Sequence, residues 1–163
     1  MTDYIVRVGK PNVTEEDAQA MYNAVKGNFL GPGPYVEKFE KEFAKYLGVK
    51  NAVAVNSGTS AMLLPLAANG IQSGDEVITT TFTFAATSNV IVLNNAKPVF
   101  VDIESDTYNL DPKKIEQAIT PKTKAIMPID YGGQSAETIE INEIAKKNNL
   151  IVLEDAAPAL GGE

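Results

Sequence analysis

Ala52-Val-Ala-Val-Asn56, Ser57-Gly58-Thr59-Ser60 and Ala61-Met-Leu-Leu64 read in succession as a strand, a turn of small residues and the start of a helix. A second apolar run, Leu150-Ile-Val-Leu153, ends in Glu154-Asp155-Ala156-Ala157. Further β-branched runs lie at Glu76–Thr80, Pro98–Ile103 and Ala125–Ile129. Helical patterns separate them near Thr59–Asn69, Phe84–Asn94, Pro112–Ile119 and Ala136–Asn148. Short runs apolar on both faces and alternating with helices specify βαβ units with right-handed crossovers. The expected class is α/β, a mostly parallel sheet between helices.

Asp111-Pro112 marks a helix start, a capping residue followed by proline at the first helical position. Asn69-Gly70 and Asn148-Asn149 supply helix ends. The first fifty residues differ in pattern. Thr14-Glu-Glu-Asp17 opens a helix through Ala18–Lys26, and Gly31-Pro-Gly-Pro34 breaks the chain. Pro34–Leu47 is an amphipathic helix in which Val36, Phe39, Phe43 and Tyr46 form an apolar stripe expected to pack as core, and Gly48 caps it. Residues 1–50 are therefore expected to form an N-terminal helical segment and residues 51–163 an α/β domain.

The chain has 163 residues, 44% hydrophobic and 21% charged, which suits one soluble globular domain. A formal charge of −7 offers no electrostatic footprint for nucleic acid or an anionic membrane. No apolar run approaches the ~20 residues that span a bilayer, and Met1–Arg7 lacks the regions of a secretory signal. A cytoplasmic protein is expected. Cys and His are both absent. That excludes within this chain disulfides, thiolate nucleophiles, zinc–sulfur sites, Ser-His-Asp triads and His-ligated metals. No metal site is expected, and chemistry must come from carboxylates, Lys, Tyr, hydroxyls or a borrowed cofactor.

In a parallel α/β sheet, ligands bind beyond the carboxyl ends of the strands. Ser57-Gly58-Thr59 lies at such an end and opens a helix, so its N–H groups, the helix dipole and two hydroxyls suit an anion. Gly58 lets the anion approach the backbone. The competing reading is a plain turn in which Ser or Thr caps the helix. Asp155 reaches the same edge, where a buried carboxylate calls for a cation or strong donor; the alternative is a capping or ion-paired Asp. Glu154 should point to the opposite face as a structural residue.

Phe29-Leu-Gly-Pro-Gly-Pro-Tyr-Val-Glu-Lys-Phe-Glu-Lys-Glu-Phe-Ala44, Asn56–Ser60, Gly74-Asp-Glu-Val-Ile-Thr-Thr-Thr-Phe-Thr-Phe-Ala-Ala-Thr87, Pro98–Ile103 and Glu154–Ala157 occur in that order. Together, from about Gly9 to Gly162, they closely resemble the DegT/DnrJ/EryC1/StrS family of pyridoxal-phosphate-dependent nucleotide-sugar aminotransferases. The resemblance implies the fold type I aminotransferase large domain, here incomplete, with pyridoxal 5′-phosphate as cofactor. It implies that Gly58 and Thr59, with Ser57 beside them, hold the phosphate. It implies that Phe84 stacks on the pyridine ring, where a core Phe is the alternative, and that Asp155 binds the pyridine nitrogen. An ionised Asp there keeps the nitrogen protonated and the ring an electron sink.

Two positions depart from the family pattern. Pro158 stands where Gln or His is frequent, and proline has no side-chain donor. Asp130 stands where many members have His, so substrate contacts there do not carry over. The family's Schiff-base lysine lies beyond the Asp-Ala-Ala segment. None of the lysines present substitutes for it: Lys97 and Lys124 sit at strand starts, and Lys38, Lys41, Lys45, Lys113, Lys114, Lys146 and Lys147 lie on helices. Lys10, Lys26, Lys50 and Lys122 fall in the leading segment or near turns. The catalytic lysine is thus expected outside this chain, which would be the N-terminal part of the enzyme and inactive alone. The implied reaction transfers an amino group from Glu or Gln to a keto group of a nucleotide-linked sugar, in amino-sugar or polysaccharide biosynthesis, by a homodimer. A lysine-free ligand-binding or regulatory relative, and another fold type I enzyme, are the alternatives. The sugar, the aminated position and the stereochemistry are not readable here.

Overall fold

A computed structural model describes residues 11–28 and 30–162. Met1–Arg7, Lys10, the leading Phe29 of the Gly-Pro-Gly-Pro motif and Glu163 lie outside the described residues. The chain divides into two compact units, one ending at Ala54 and the other beginning at Val55.

The first unit holds α1, Glu15–Lys26, and α2, Pro34–Tyr46. Thr14 caps α1 through a reciprocal box: its Oγ1 accepts from Asp17 N at 3.2 Å and the Asp17 carboxylate accepts from Thr14 N at 2.8 Å. Pro34 opens α2 at its first position, and Gly48 follows its end at φ +68°, a left-handed conformation suited to glycine. The apolar stripe of α2 does not pack as expected. Phe39 and Tyr46 are 52% and 67% exposed, Val36 and Phe43 are half-buried, and Ala44 alone on α2 is buried. Phe39 and Phe43 stack on each other with ring centroids 5.4 Å apart. Two short helices supply too little surface to enclose these rings within the unit.

The second unit is a four-stranded sheet, all parallel, in the order β2-β1-β3-β4, with β1 at Glu76–Thr79, β2 at Lys97–Phe100, β3 at Thr123–Ile126 and β4 at Ile151–Val152. Its helices are α3, Gly58–Ala68; α4, Ala85–Leu93; α5, Pro112–Ile115, continued by a 3₁₀ turn; and α6, Thr138–Asn148. The expected caps are present: Asp111 accepts from Lys113 N at 3.0 Å, and Asn149 closes α6 at φ 54°.

Strand alternation builds two cores. Val77, Ala125 and Met127 face one side with Leu66 of α3 and Val90 and Ile91 of α4. Ile78 and Ile126 face the other with Ile115 of α5 and Ile141 and Ala145 of α6. The chain winds from β1 through α4 to β2 at one side of the sheet, then from β3 through α6 to β4 at the other. Right-handed crossovers running in opposite directions place their helices on opposite faces, and a crevice opens at the carboxyl edge where the direction reverses, between β1 and β3.

One expected strand is missing. Residues 52–55 join no ladder; the Ala54 N–H donates to Glu40 Oε1 at 2.8 Å, and Val53 is 78% exposed. An extended segment is a strand only by pairing, and among the described residues no strand pairing includes this one. Among the described residues no helix is long and apolar enough to cross a membrane.

Candidate functional site

The segments following β1, β3 and β4 meet the start of α3 around one cavity of about 580 Å³. Gly58, Thr59, Phe84, Tyr131, Asp155 and Pro158 are among the residues lining it. It lies at the crevice where parallel sheets bind ligands, and its volume is that of a small-molecule site.

Asp155 reaches the cavity because the β3–β4 pairing continues past the strands. Asp155 N donates to Pro128 O at 2.9 Å and Asp130 N donates to Asp155 O at 3.2 Å, a bridge that locks the carboxyl edge. The Asp155 residue is only 5% exposed. Its Oδ2 accepts from the Thr87 hydroxyl at 2.7 Å, whereas Oδ1 has only a long contact of 3.4 Å from Ala157 N. No ion pair within the described residues neutralises it, so one carboxylate oxygen keeps acceptor capacity.

Gly58 and Thr59 form the first turn of α3, where backbone N–H groups have no intrahelical partner and the helix dipole is positive. Gly58 is not there to relieve the protein's own backbone. It does not adopt a left-handed φ, and a Cβ added to it would meet no atom within 4 Å. The space that side chain would fill is open, and Gly58 itself lines the cavity. Ser57 behaves differently from its neighbours. Its Oγ accepts from Ser60 N at 3.2 Å and lies 3.1 Å from Ser60 Oγ, and it is not among the lining residues. The capping role thus falls to Ser57, leaving Gly58 and Thr59 to face the cavity.

Phe84 caps α4 with extended backbone at φ −67° and ψ 139° and is 78% exposed in this chain. Phe84 borders the cavity. Asp130 is buried and its Oδ1 accepts from Ala136 N at 2.9 Å, a structural bond that shapes the loop before α6. Glu154 is exposed overall, yet its carboxyl meets that of Asp130. Desolvation of that carboxyl first, then the Asp130 charge and a hydrogen bond with Asp130, raise the Glu154 pKa above the usual Glu range.

Two groups of residues at the site escape the sequence reading. Thr87 touches Asp155 although 68 residues separate them. Its only advance signal is the four-residue spacing from Thr83 beside the ring-bearing Phe84. Tyr131 lines the cavity and packs against Phe82 with ring centroids 4.4 Å apart. Asn109 Oδ1 accepts from Tyr131 N at 2.8 Å and so fixes that turn. None of the lining residues is a lysine.

A family model described as the DegT/DnrJ/EryC1/StrS aminotransferase family matches residues 11–163. The chain is 48% identical over 150 residues to the spore coat polysaccharide biosynthesis protein SpsC of Bacillus subtilis, covering 92% of this chain and 39% of that protein. It is 49% identical over 129 residues to GDP-perosamine synthase of Caulobacter vibrioides, covering 79% of this chain and 35% of that protein. Its fold matches the crystal structure of NtdA from Bacillus subtilis with bound cofactor PMP, at TM-score 0.87 and 36% identity, over 93% of this chain and 36% of that one. The chain spans less than two-fifths of the length of each of these relatives.

Proposed function

The chain belongs to the DegT/DnrJ/EryC1/StrS aminotransferase family, and we propose that its second unit is the cofactor-binding part of a pyridoxal-phosphate-dependent aminotransferase acting on a nucleotide-linked sugar. The convergence of Gly58, Thr59, Phe84 and Asp155 on one cavity carries this reading. Three of them have a further feature that suits the cofactor. Gly58 leaves open the space a side chain would take, Phe84 exposes a ring, and Asp155 keeps an acceptor oxygen inside a nearly dry wall.

When bound, pyridoxal phosphate supplies an electron-withdrawing ring that stabilises negative charge beside the transferred amine. The Gly58 and Thr59 N–H groups would hold the phosphate at the positive end of α3, with Ser57 securing the turn behind them. Phe84 would pack against the ring. Asp155 would hold the proton of the ring nitrogen by a charge-assisted hydrogen bond. Pro158 has no side-chain donor to offer the cofactor, so any contact to its ring oxygen comes from another group. The lysine that would bond the cofactor is not among the residues lining the cavity, and the same proposal places it outside this chain. The amine donor, Glu or Gln, the nucleotide-sugar acceptor, a homodimeric state and a cytoplasmic location belong to the same proposal. So does the division into an N-terminal helical segment, 1–50, and a partial large domain, 51–163.

Binding of pyridoxamine 5′-phosphate, which needs no lysine, tests the reading directly. Calorimetry is expected to show one site per chain. Asp155→Asn, which keeps shape but removes the charge, is expected to weaken it by about 10- to 150-fold, the worth of a hydrogen bond to a charged group. Equal affinity in wild type and Asp155→Asn would remove the assignment.

A further inference from the structure

A chain of hydroxyls stands behind the cavity wall. Thr87 lies in the first turn of α4 with no exposed surface and sets its Oγ1 2.7 Å from Asp155 Oδ2. Thr83, half-buried and one helical turn earlier, sets its own Oγ1 2.8 Å from that of Thr87. Neither threonine lines the cavity, while Phe84 and Ala86 between them, and Asp155 beyond them, do.

Valence fixes the direction of this chain. A carboxylate has only lone pairs and a hydroxyl has one hydrogen, so Thr87 donates to Asp155 and accepts from Thr83. Burying a hydroxyl costs free energy unless it is bonded, and valine would fill the same volume at no such cost. The 2.7 Å bond is also the short one at Asp155, because the contact on Oδ1 is 3.4 Å. The orientation of the carboxylate therefore depends on Thr87.

We infer that Thr83 and Thr87 are positioning residues: a directional hydroxyl relay that clamps Asp155 Oδ2 and so aims the remaining oxygen, Oδ1, at a protonated heteroaromatic nitrogen in the cavity. The inference rests on the cofactor reading of that cavity and adds to it two residues that touch neither cofactor nor substrate. Replacing Thr87 by valine keeps the packing but leaves Oδ2 without its donor and the carboxylate free to turn. The ring-nitrogen proton is then held in a poorly fixed geometry.

The test uses pyridoxamine 5′-phosphate labelled with ¹⁵N in the ring, added to wild type and to Thr87→Val, Thr87→Ser, Thr83→Val and Asp155→Asn. The dissociation constant is read by calorimetry, the ring nitrogen by NMR and folding by the melting midpoint. Wild type is expected to show a protonated ring nitrogen. Thr87→Val should weaken binding about fivefold, as for one lost hydrogen bond, and move the ¹⁵N signal toward its unprotonated position. Thr87→Ser should restore both. Thr83→Val should act in the same direction to a smaller extent, and it carries the test if Thr87→Val does not fold. Unchanged ¹⁵N signals in the folded Thr87→Val or Thr83→Val proteins, beside a changed signal in Asp155→Asn, would overturn the relay alone; so would a loss of affinity with no ¹⁵N shift, the mark of a merely structural role. A wild type that does not bind the probe, or an Asp155→Asn protein indistinguishable from it, would instead refute the cofactor reading and the relay with it.

Discussion

Gly58→Ala separates what the fold needs from what a ligand needs. At this position the added Cβ meets nothing within 4 Å and the backbone is not left-handed, so the folded state accepts alanine without strain. Glycine's extra freedom in the unfolded chain then counts against the wild type. Alanine should stabilise by about 0.4–1 kcal/mol, which raises the melting midpoint of a chain this size by about 1–4 °C. Gly58 lines the cavity at the first turn of α3, and a methyl added there should crowd a phosphate that must come close to the Gly58 and Thr59 N–H groups. Losing one such charge-assisted bond costs about 1.5–3 kcal/mol, or about 10- to 150-fold in the dissociation constant of pyridoxamine 5′-phosphate. Differential scanning calorimetry and titration calorimetry on the same samples read both effects. A variant that gains stability and binds as tightly as wild type would show that the turn does not cradle the phosphate. A destabilised variant would show that the space at Gly58 is not open.

Core and surface positions should separate by cost. Ile126→Ala, at a residue with no exposed surface in the central part of the sheet, should lose about 2–5 kcal/mol in urea titrations. Val53→Ala, at a residue 78% exposed and outside any ladder, should stay within about 0.5 kcal/mol; similar losses at both would refute the packing described. Glu154 gives a pH signature. Its folded-state pKa is raised by desolvation and by Asp130, so the folded protein holds that proton more tightly than the unfolded chain. Stability from this group therefore falls as pH rises from the usual Glu value through the raised one, then levels off. Glu154→Gln should accordingly raise the urea midpoint at pH 8 and leave it near wild type at pH 4. An equal effect at both values would exclude the Asp130–Glu154 coupling.

Local chemistry made much of this protein readable in one dimension. The β-branched runs expected at Glu76–Thr80 and Ala125–Ile129, the Asp111-Pro112 start and the Asn149 end depend on neighbours a few residues away, and the structure has strands overlapping those runs at Glu76–Thr79 and Thr123–Ile126, with the cap and the end in place. Gly58, Thr59 and Asp155 were legible as candidate ligand residues because each lies just past an apolar run expected to end at the carboxyl edge of a parallel sheet, whereas Phe84 entered as a candidate through the family resemblance. Other features belonged to the tertiary structure alone. Residues 52–55 carry a strand's composition yet form none, because strand identity is completed by a partner and Ala54 gives its N–H to Glu40 instead. The stripe on α2 has core spacing, but burial depends on what surrounds a face, and Phe39 and Tyr46 remain exposed within their unit. Ser57 and Gly58 are adjacent, and only the folded turn assigns capping to one and the cavity wall to the other. The bond between Thr87 and Asp155 lies furthest from the reach of sequence: it spans 68 residues and exists because winding in both directions from the middle of the sheet returns the segments after β1 and β4 to one edge. Local rules specify which residues can carry a phosphate or a buried charge; long-range pairing decides which of them share a cavity.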